Sequence, residues 1–171
     1  MKNWLNMDRE IDGALIQDMQ LSDSFWLSHL RVYWPPTVEP HDRFPILVPN
    51  VRTATLMANQ LEVILKCIGS FHIVDCLRPS WSHRWYRNPS QEDKHLTKYI
   101  ESGVMAVDIR PEEMVPAQAY MKIDRLMDNS EITQGGLGKY GKILHYDTRG
   151  RRARWSAVSH NGTLGCIQGT G

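Results

Sequence analysis

Apolar residues recurring at steps of three and four give the chain its clearest pattern. Val51, Ala54, Met57, Leu61, Ile64, Leu65 and Ile68 line one side of a helical wheel, predicting an amphipathic helix with a buried face. Gly69 follows as its stop, and the β-branched and aromatic positions of residues 71–77 predict a strand. Residues 104–109 predict a second strand. Pro116 suits a first helical turn, and Ala119, Ile123, Leu126 and Met127 then mark a second packed helix ending near Asn129. Beyond Gly135-Gly136, residues 137–140, 143–146 and 152–157 predict short antiparallel strands, separated by Gly141 and by Thr148-Arg149-Gly150. Residues 21–33, with Ser22 and Ser24 as N-cap candidates and Pro35-Pro36 behind them, predict a short helix or ordered turn. Residues 79–94 are polar, carry Trp81, Trp85 and Tyr86 and show no period, as in a long surface loop. The sum is an α+β fold.

A chain of 171 residues suits one domain. Residues 1–158 carry the patterned part, and 159–171, rich in Gly and polar residues, are expected as a C-terminal tail. Hydrophobic residues at 42% and charged residues at 23% are ordinary for a globular protein. The net charge of +1 offers no electrostatic excess for nucleic acid or an anionic membrane, so neither is expected as a partner. No apolar run reaches the roughly 18 residues of a membrane span, and the first residues lack an export-signal pattern. Cys67, Cys76 and Cys166 are odd in number and widely spaced, which argues against a disulfide framework or a thiolate zinc knuckle.

Among seven histidines, His95 and His145 combine with Asp108 into a chemically useful set. Asp108 lies in the apolar run Ala106-Val107-Asp108-Ile109, where an uncompensated carboxylate is costly to bury. A divalent cation would offset that cost; an arginine partner or a helix cap is the alternative. Two imidazoles and a carboxylate leave a fourth tetrahedral position open, the arrangement of catalytic zinc. In the strand His145-Tyr146-Asp147, period-two alternation puts His145 and Asp147 on one face and Tyr146 on the other.

The order of these pieces resembles the zinc D-Ala-D-Ala carboxypeptidases and related cell-wall endopeptidases, the LAS metallopeptidases, especially their bacteriophage and YcbK-like branch. Residues 21–30 look like the family's opening turn, with His29 where it has an acid, and Arg78 stands at the arginine of its "Ser-Gly-Tyr-Arg-Ser" strand end. His95-Leu96 and residues 103–109 are similar to "Ser-x-His-Leu-x-Gly-x-Ala-Val-Asp-Ile". Gly135-Gly136-Leu137-Gly138-Lys139-Tyr140, His145-Tyr146-Asp147-Thr148-Arg149-Gly150 and Ala153-Arg154-Trp155 resemble the closing "Gly-Gly-x-Gly-x-Tyr … His-x-Asp-x-Arg-Gly … Arg-x-Trp" signature.

The resemblance implies a small antiparallel sheet carrying a metal site, with packed helices in a LAS/hedgehog-like peptidase fold. It also implies one Zn²⁺ on His95, Asp108 and His145, and hydrolysis of a peptide bond in bacterial peptidoglycan by a D,D-carboxypeptidase or endopeptidase. The family's first histidine lies seven residues before the aspartate, where this chain has Glu101; His95 lies thirteen before. Either residues 97–102 are an insertion and His95 binds metal, or Glu101 replaces the histidine. Residues 140–144 offer no acid, which leaves Asp147 as the candidate catalytic base or, alternatively, as the acceptor that holds a ligand histidine. Arg78 would clamp a substrate carboxylate, while Trp81, Trp85 and Tyr86 would line the ligand or roof the core. The basic run at residues 149–154 is expected to form a solvated hairpin. The implied setting is a bacteriophage enzyme in the host cytoplasm before release or on the virion, with other virion proteins as partners. The alternative is a catalytically inactive virion module that keeps the fold.

Overall fold

The computed structural model describes residues 20–25, 30, 51–76, 94–95, 97–160 and 163–168. Helix α1 spans Val51–Ile68, eighteen residues without Pro or Gly; its Ala54, Met57, Ala58, Leu61 and Ile64 have no exposed surface. Gly69 ends it at φ 78°, a left-handed conformation that costs glycine little, with its N–H donating to Leu65 O at 3.0 Å. Strand β1, Phe71–Asp75, follows. A six-residue 3₁₀ helix, η1 (Thr97–Ser102), leads into β2, Ala106–Pro111. Helix α2 runs Pro116–Asp128 with Pro in its first turn and Asn129 as C-cap. Strands β3 (Gly136–Tyr140), β4 (Ile143–Asp147), β5 (Ala153–His160) and β6 (Thr163–Gln168) complete the chain.

The strands form one sheet in the order β1-β2-β4-β3-β5-β6. Register assigns its two faces. Val107 of β2 stands opposite Tyr146 of β4, which stands opposite Leu137 of β3; Ile109 pairs with Leu144 in the next row. These five side chains are fully buried in one core with Met57, Leu61, Ile64, Ile123 and Met127 of the two helices. Burying a residue of this size stabilises by about 1.5–3 kcal/mol, so this face supplies the main hydrophobic driving force. Tyr146 lies in that core, its hydroxyl donating to Thr133 O at 3.0 Å.

Two expectations change. The sheet is mixed rather than antiparallel throughout, because β3 and β5 run parallel. Residues 148–152 carry the chain past the start of β3, tied there by Gly150 N–H to Gln134 O at 3.0 Å and Ala153 N–H to Gly135 O at 3.3 Å. β5 therefore sets out from the same end as β3. Within the segment expected as a tail, Thr163–Gln168 instead pairs antiparallel with β5 as the sixth strand, from Trp155↔Gln168 to His160↔Thr163.

The basic run is not simply solvated. Arg154 donates through Nε to Asp124 Oδ1 at 2.7 Å and through Nη1 to Gly135 O at 2.6 Å; Arg152 pairs with both Asp124 and Asp128. These bonds stitch β5 to α2 and spend the positive charge internally. At the other end of the core, Glu62 of α1 accepts from the Ser22 hydroxyl at 2.9 Å, the Ser24 hydroxyl at 3.0 Å and the Ser24 N–H. The predicted opening segment is an ordered turn over residues 21–25, closed by Leu21 N–H to Phe25 O at 2.9 Å; its remainder through Tyr33, apart from buried Leu30, lies outside the described residues. Among the described residues no helix is long and apolar enough to cross a membrane.

Candidate metal centre

The sheet face opposite the helices carries the chemistry. Asp75, Asp108, His145, Gly138, Trp155 and Gln168 occupy successive strands of one register row, and Asp147 lies two residues along β4 from His145. Apolar alternation on β2 and β4 fixes which side Asp108, His145 and Asp147 take, because a slip of one residue would drive them into the core.

His95 reaches the row from outside the sheet. Residues 97–102, the candidate insertion, fold as η1, whose Ile100 is fully buried and accepts at its carbonyl from Thr53 Oγ1 of α1 at 3.1 Å. Gly103 then turns at φ 82° into β2. With the connection anchored in this way, His95 is 3% exposed and its Nδ1 lies 2.9 Å from Cys76 O. A carbonyl oxygen only accepts, so Nδ1 carries the proton and Nε2 presents its lone pair.

That lone pair meets two others. His95 Nε2 is 3.1 Å from His145 Nδ1 and 3.3 Å from Asp108 Oδ1, and His145 Nδ1 is 2.9 Å from Asp108 Oδ1. On its far side His145 Nε2 lies 3.0 Å from Asp147 Oδ2. Asp147 is fully buried and accepts from Gly136 N–H at 3.1 Å, Arg149 N–H at 3.1 Å, and the Arg149 guanidinium through Nε at 2.7 Å and Nη2 at 2.5 Å. Burial alone would raise the Asp147 carboxyl, but His145 and Arg149 outweigh it and hold it well below the usual carboxylate range. An ionised Asp147 only accepts, so His145 Nε2 carries the proton and Nδ1 becomes the ligand-type atom.

Three acceptor atoms thus converge, and only a positive charge among them makes that arrangement stable. In the metal-free chain a proton fills this role. Burial would lower the His145 pKa, but hydrogen bonds and charge from Asp108 and Asp147 raise it to about 9. Asp108 is held far below its ordinary value: burial opposes this, but its electrostatic contact with His95 and its hydrogen bond with His145 prevail. A buried His95–Asp108–His145 group can hold a metal ion. Nitrogen and oxygen ligands about 2.0–2.1 Å from a tetrahedral ion stand about 3.3 Å from one another, close to the observed separations.

The sequence-derived candidates fall out as follows. His95, Asp108 and His145 come together; Glu101 belongs to η1, and its side chain lies outside the described residues. Of the two roles open to Asp147, the geometry supports the acceptor that holds His145. Its position behind the ring, with both oxygens already hydrogen-bonded, opposes the role of base. Arg78, Trp81, Trp85 and Tyr86 lie outside the described residues.

Sequence reasoning gave Arg149 and Trp155 no role beyond their place in the motif. Trp155 lies over Gly138 and Gly136, where an added methyl would overlap its indole, and its ring centroid is 5.2 Å from that of His145. The clue was the Gly-x-Gly spacing itself, which clears two consecutive same-face positions on β3. Compared with protein-family models, curated proteins and solved structures, the chain finds no match.

Proposed function

We propose that the chain is a zinc-dependent peptidase acting on a peptide bond of bacterial peptidoglycan. The observation that carries the proposal is the meeting of His95 Nε2, Asp108 Oδ1 and His145 Nδ1 within 3.3 Å of one another. Two neutral imidazoles and one carboxylate are the donor set of catalytic zinc sites that keep an open position, and they favour zinc over harder cations such as Mg²⁺ or Ca²⁺. Zinc bound there supplies Lewis-acid polarisation of an amide carbonyl and acidification of a water near neutral pH.

The protein's own groups have distinct tasks. His95 is held by the Cys76 carbonyl and His145 by Asp147, so both rings are oriented before any ligand arrives. Arg78, by its place in the resembled motif, would bind a substrate carboxylate through a two-pronged hydrogen bond. The peptidoglycan substrate, the bacteriophage setting and the contact with other virion proteins rest on the resemblance of the closing signature.

A second reading, an inactive virion module retaining the scaffold, is favoured by one observation. Asp147, the acid offered by the sequence as base, is fully engaged by His145, Arg149 and Gly136. Purified protein incubated with zinc and muropeptides separates the two readings. Release of a D-alanine or a cleaved cross-link, lost in His145→Ala, supports the peptidase; stoichiometric zinc without any cleavage supports the module.

A further inference from the structure

Arg149 and Trp155 do more than fill space beside the centre. Arg149 closes on Asp147 through Nε and Nη2, and its guanidinium carbon lies 5.5 Å from the centroid of the Trp155 ring. Trp155 in turn lies against His145, with its Nε1–H donating to the Tyr140 hydroxyl at 2.5 Å. His145 returns to Asp147 through Nε2 at 3.0 Å. The four side chains form a closed ring of contacts on the side of His145 away from the converging lone pairs.

We propose that Arg149 and Trp155 are positioning residues that act through Asp147 and His145 to fix which nitrogen faces the cation. Arg149 supplies a planar pair of N–H groups that fixes the Asp147 carboxylate in one plane. Trp155 covers the His145–Asp147 hydrogen bond and excludes water that would compete for it; the side chain of His145 is 8% exposed and that of Asp147 is fully covered. Gly136 and Gly138 give the indole room to lie flat enough to do this. The inference concerns the centre of the proposed peptidase and rests on that reading only for its consequence on zinc affinity.

The test has two arms. In the metal-free protein, the His145 Nε2–H should give a downfield proton resonance that exchanges slowly with water and is identified by its loss in His145→Ala. Arg149→Met and Trp155→Ala should abolish that slow exchange, Trp155→Phe should preserve it, and Arg149→Lys should restore it only in part. In the second arm, Zn²⁺ affinity measured against a competing chromophoric chelator should fall about ten- to a hundredfold in Arg149→Met. Trp155→Phe should stay close to the parent chain. Should Arg149→Met fail to fold, the contrast between Trp155→Ala and Trp155→Phe decides. Slow exchange and zinc affinity unchanged in both Arg149→Met and Trp155→Ala would overturn the proposal. Altered exchange in a parent chain that binds no zinc would uphold the positioning role and reject the proposed metalloenzyme.

Discussion

His95 Nε2 and His145 Nδ1, fifty positions apart in sequence, meet at 3.1 Å with rings nearly perpendicular. Each ring gives its other nitrogen to a fixed acceptor, the Cys76 carbonyl for one and the Asp147 carboxylate for the other. These two nitrogens therefore face each other by construction, and Asp108 completes the group. The first prediction concerns its membership. His95→Ala should lower zinc affinity severely while Glu101→Ala leaves it near the parent value, measured by the same chelator competition. The reverse order would show that the glutamate seven residues before Asp108 is the ligand.

Asp147→Asn separates holding from proton transfer. An amide retains the shape of the side chain but gives Arg149 a neutral partner and, with its NH₂ turned to His145, opposes the Nε2–H. Zinc affinity should fall about ten- to a hundredfold. The melting temperature of the metal-free chain should fall too, because the Arg149 guanidinium loses its charged partner. A base remote from ligand control would instead leave affinity intact and reduce turnover alone.

Gly138→Ala should destabilise by about 1–3 kcal/mol, since its methyl would overlap the Trp155 indole across the β3–β5 pairing. Combining it with Trp155→Ala should cost less than the sum of the two single changes, as expected for groups in direct contact. Additive losses in chemical denaturation would mean that the indole is not what Gly138 accommodates.

Glu62 gives the fold an acid-sensitive tie. Burial would raise its pKa, but the Ser24 N–H and the Ser22 and Ser24 hydroxyls outweigh this and lower it from the ordinary glutamate value. A depressed folded-state pKa stabilises the protein fully above the unfolded value, about 4.3, and that stability is lost as pH falls through the folded value. Glu62→Gln should therefore be less stable than the parent near neutral pH and should lose less stability on acidification below about pH 4. Parallel stability curves for the two chains over that range would contradict this.

Much of this scaffold was legible from spacing. The three-four rhythm from Val51 to Ile68 and the Pro116 start of α2 survive because long amphipathic helices state their buried face in the sequence itself. Alternation likewise placed His145 and Asp147 on one face and Tyr146 on the other, and the structure shows that the face of Tyr146 is the core side. The parallel pairing of β3 with β5 was not legible, since strand direction depends on where residues 148–152 cross, and the backbone bonds that direct them leave no side-chain pattern. Residues 163–168 escaped notice because Gly and polar residues weaken the strand signal although backbone pairing tolerates them. At the centre, sequence named the converging trio but left Asp147 between two roles. Only the depth of its burial and its bonds to Arg149 and Gly136 favour one.

Stoichiometric metal uptake is the most direct measurement. Titrating the metal-free chain with Co²⁺, a visible-absorbing substitute for zinc, should give one saturating site per chain with intense d–d absorption of a four-coordinate ion, displaced by Zn²⁺ and missing from His145→Ala. A folded parent chain that develops no saturable absorption and gains no thermal stability from zinc would contradict the account.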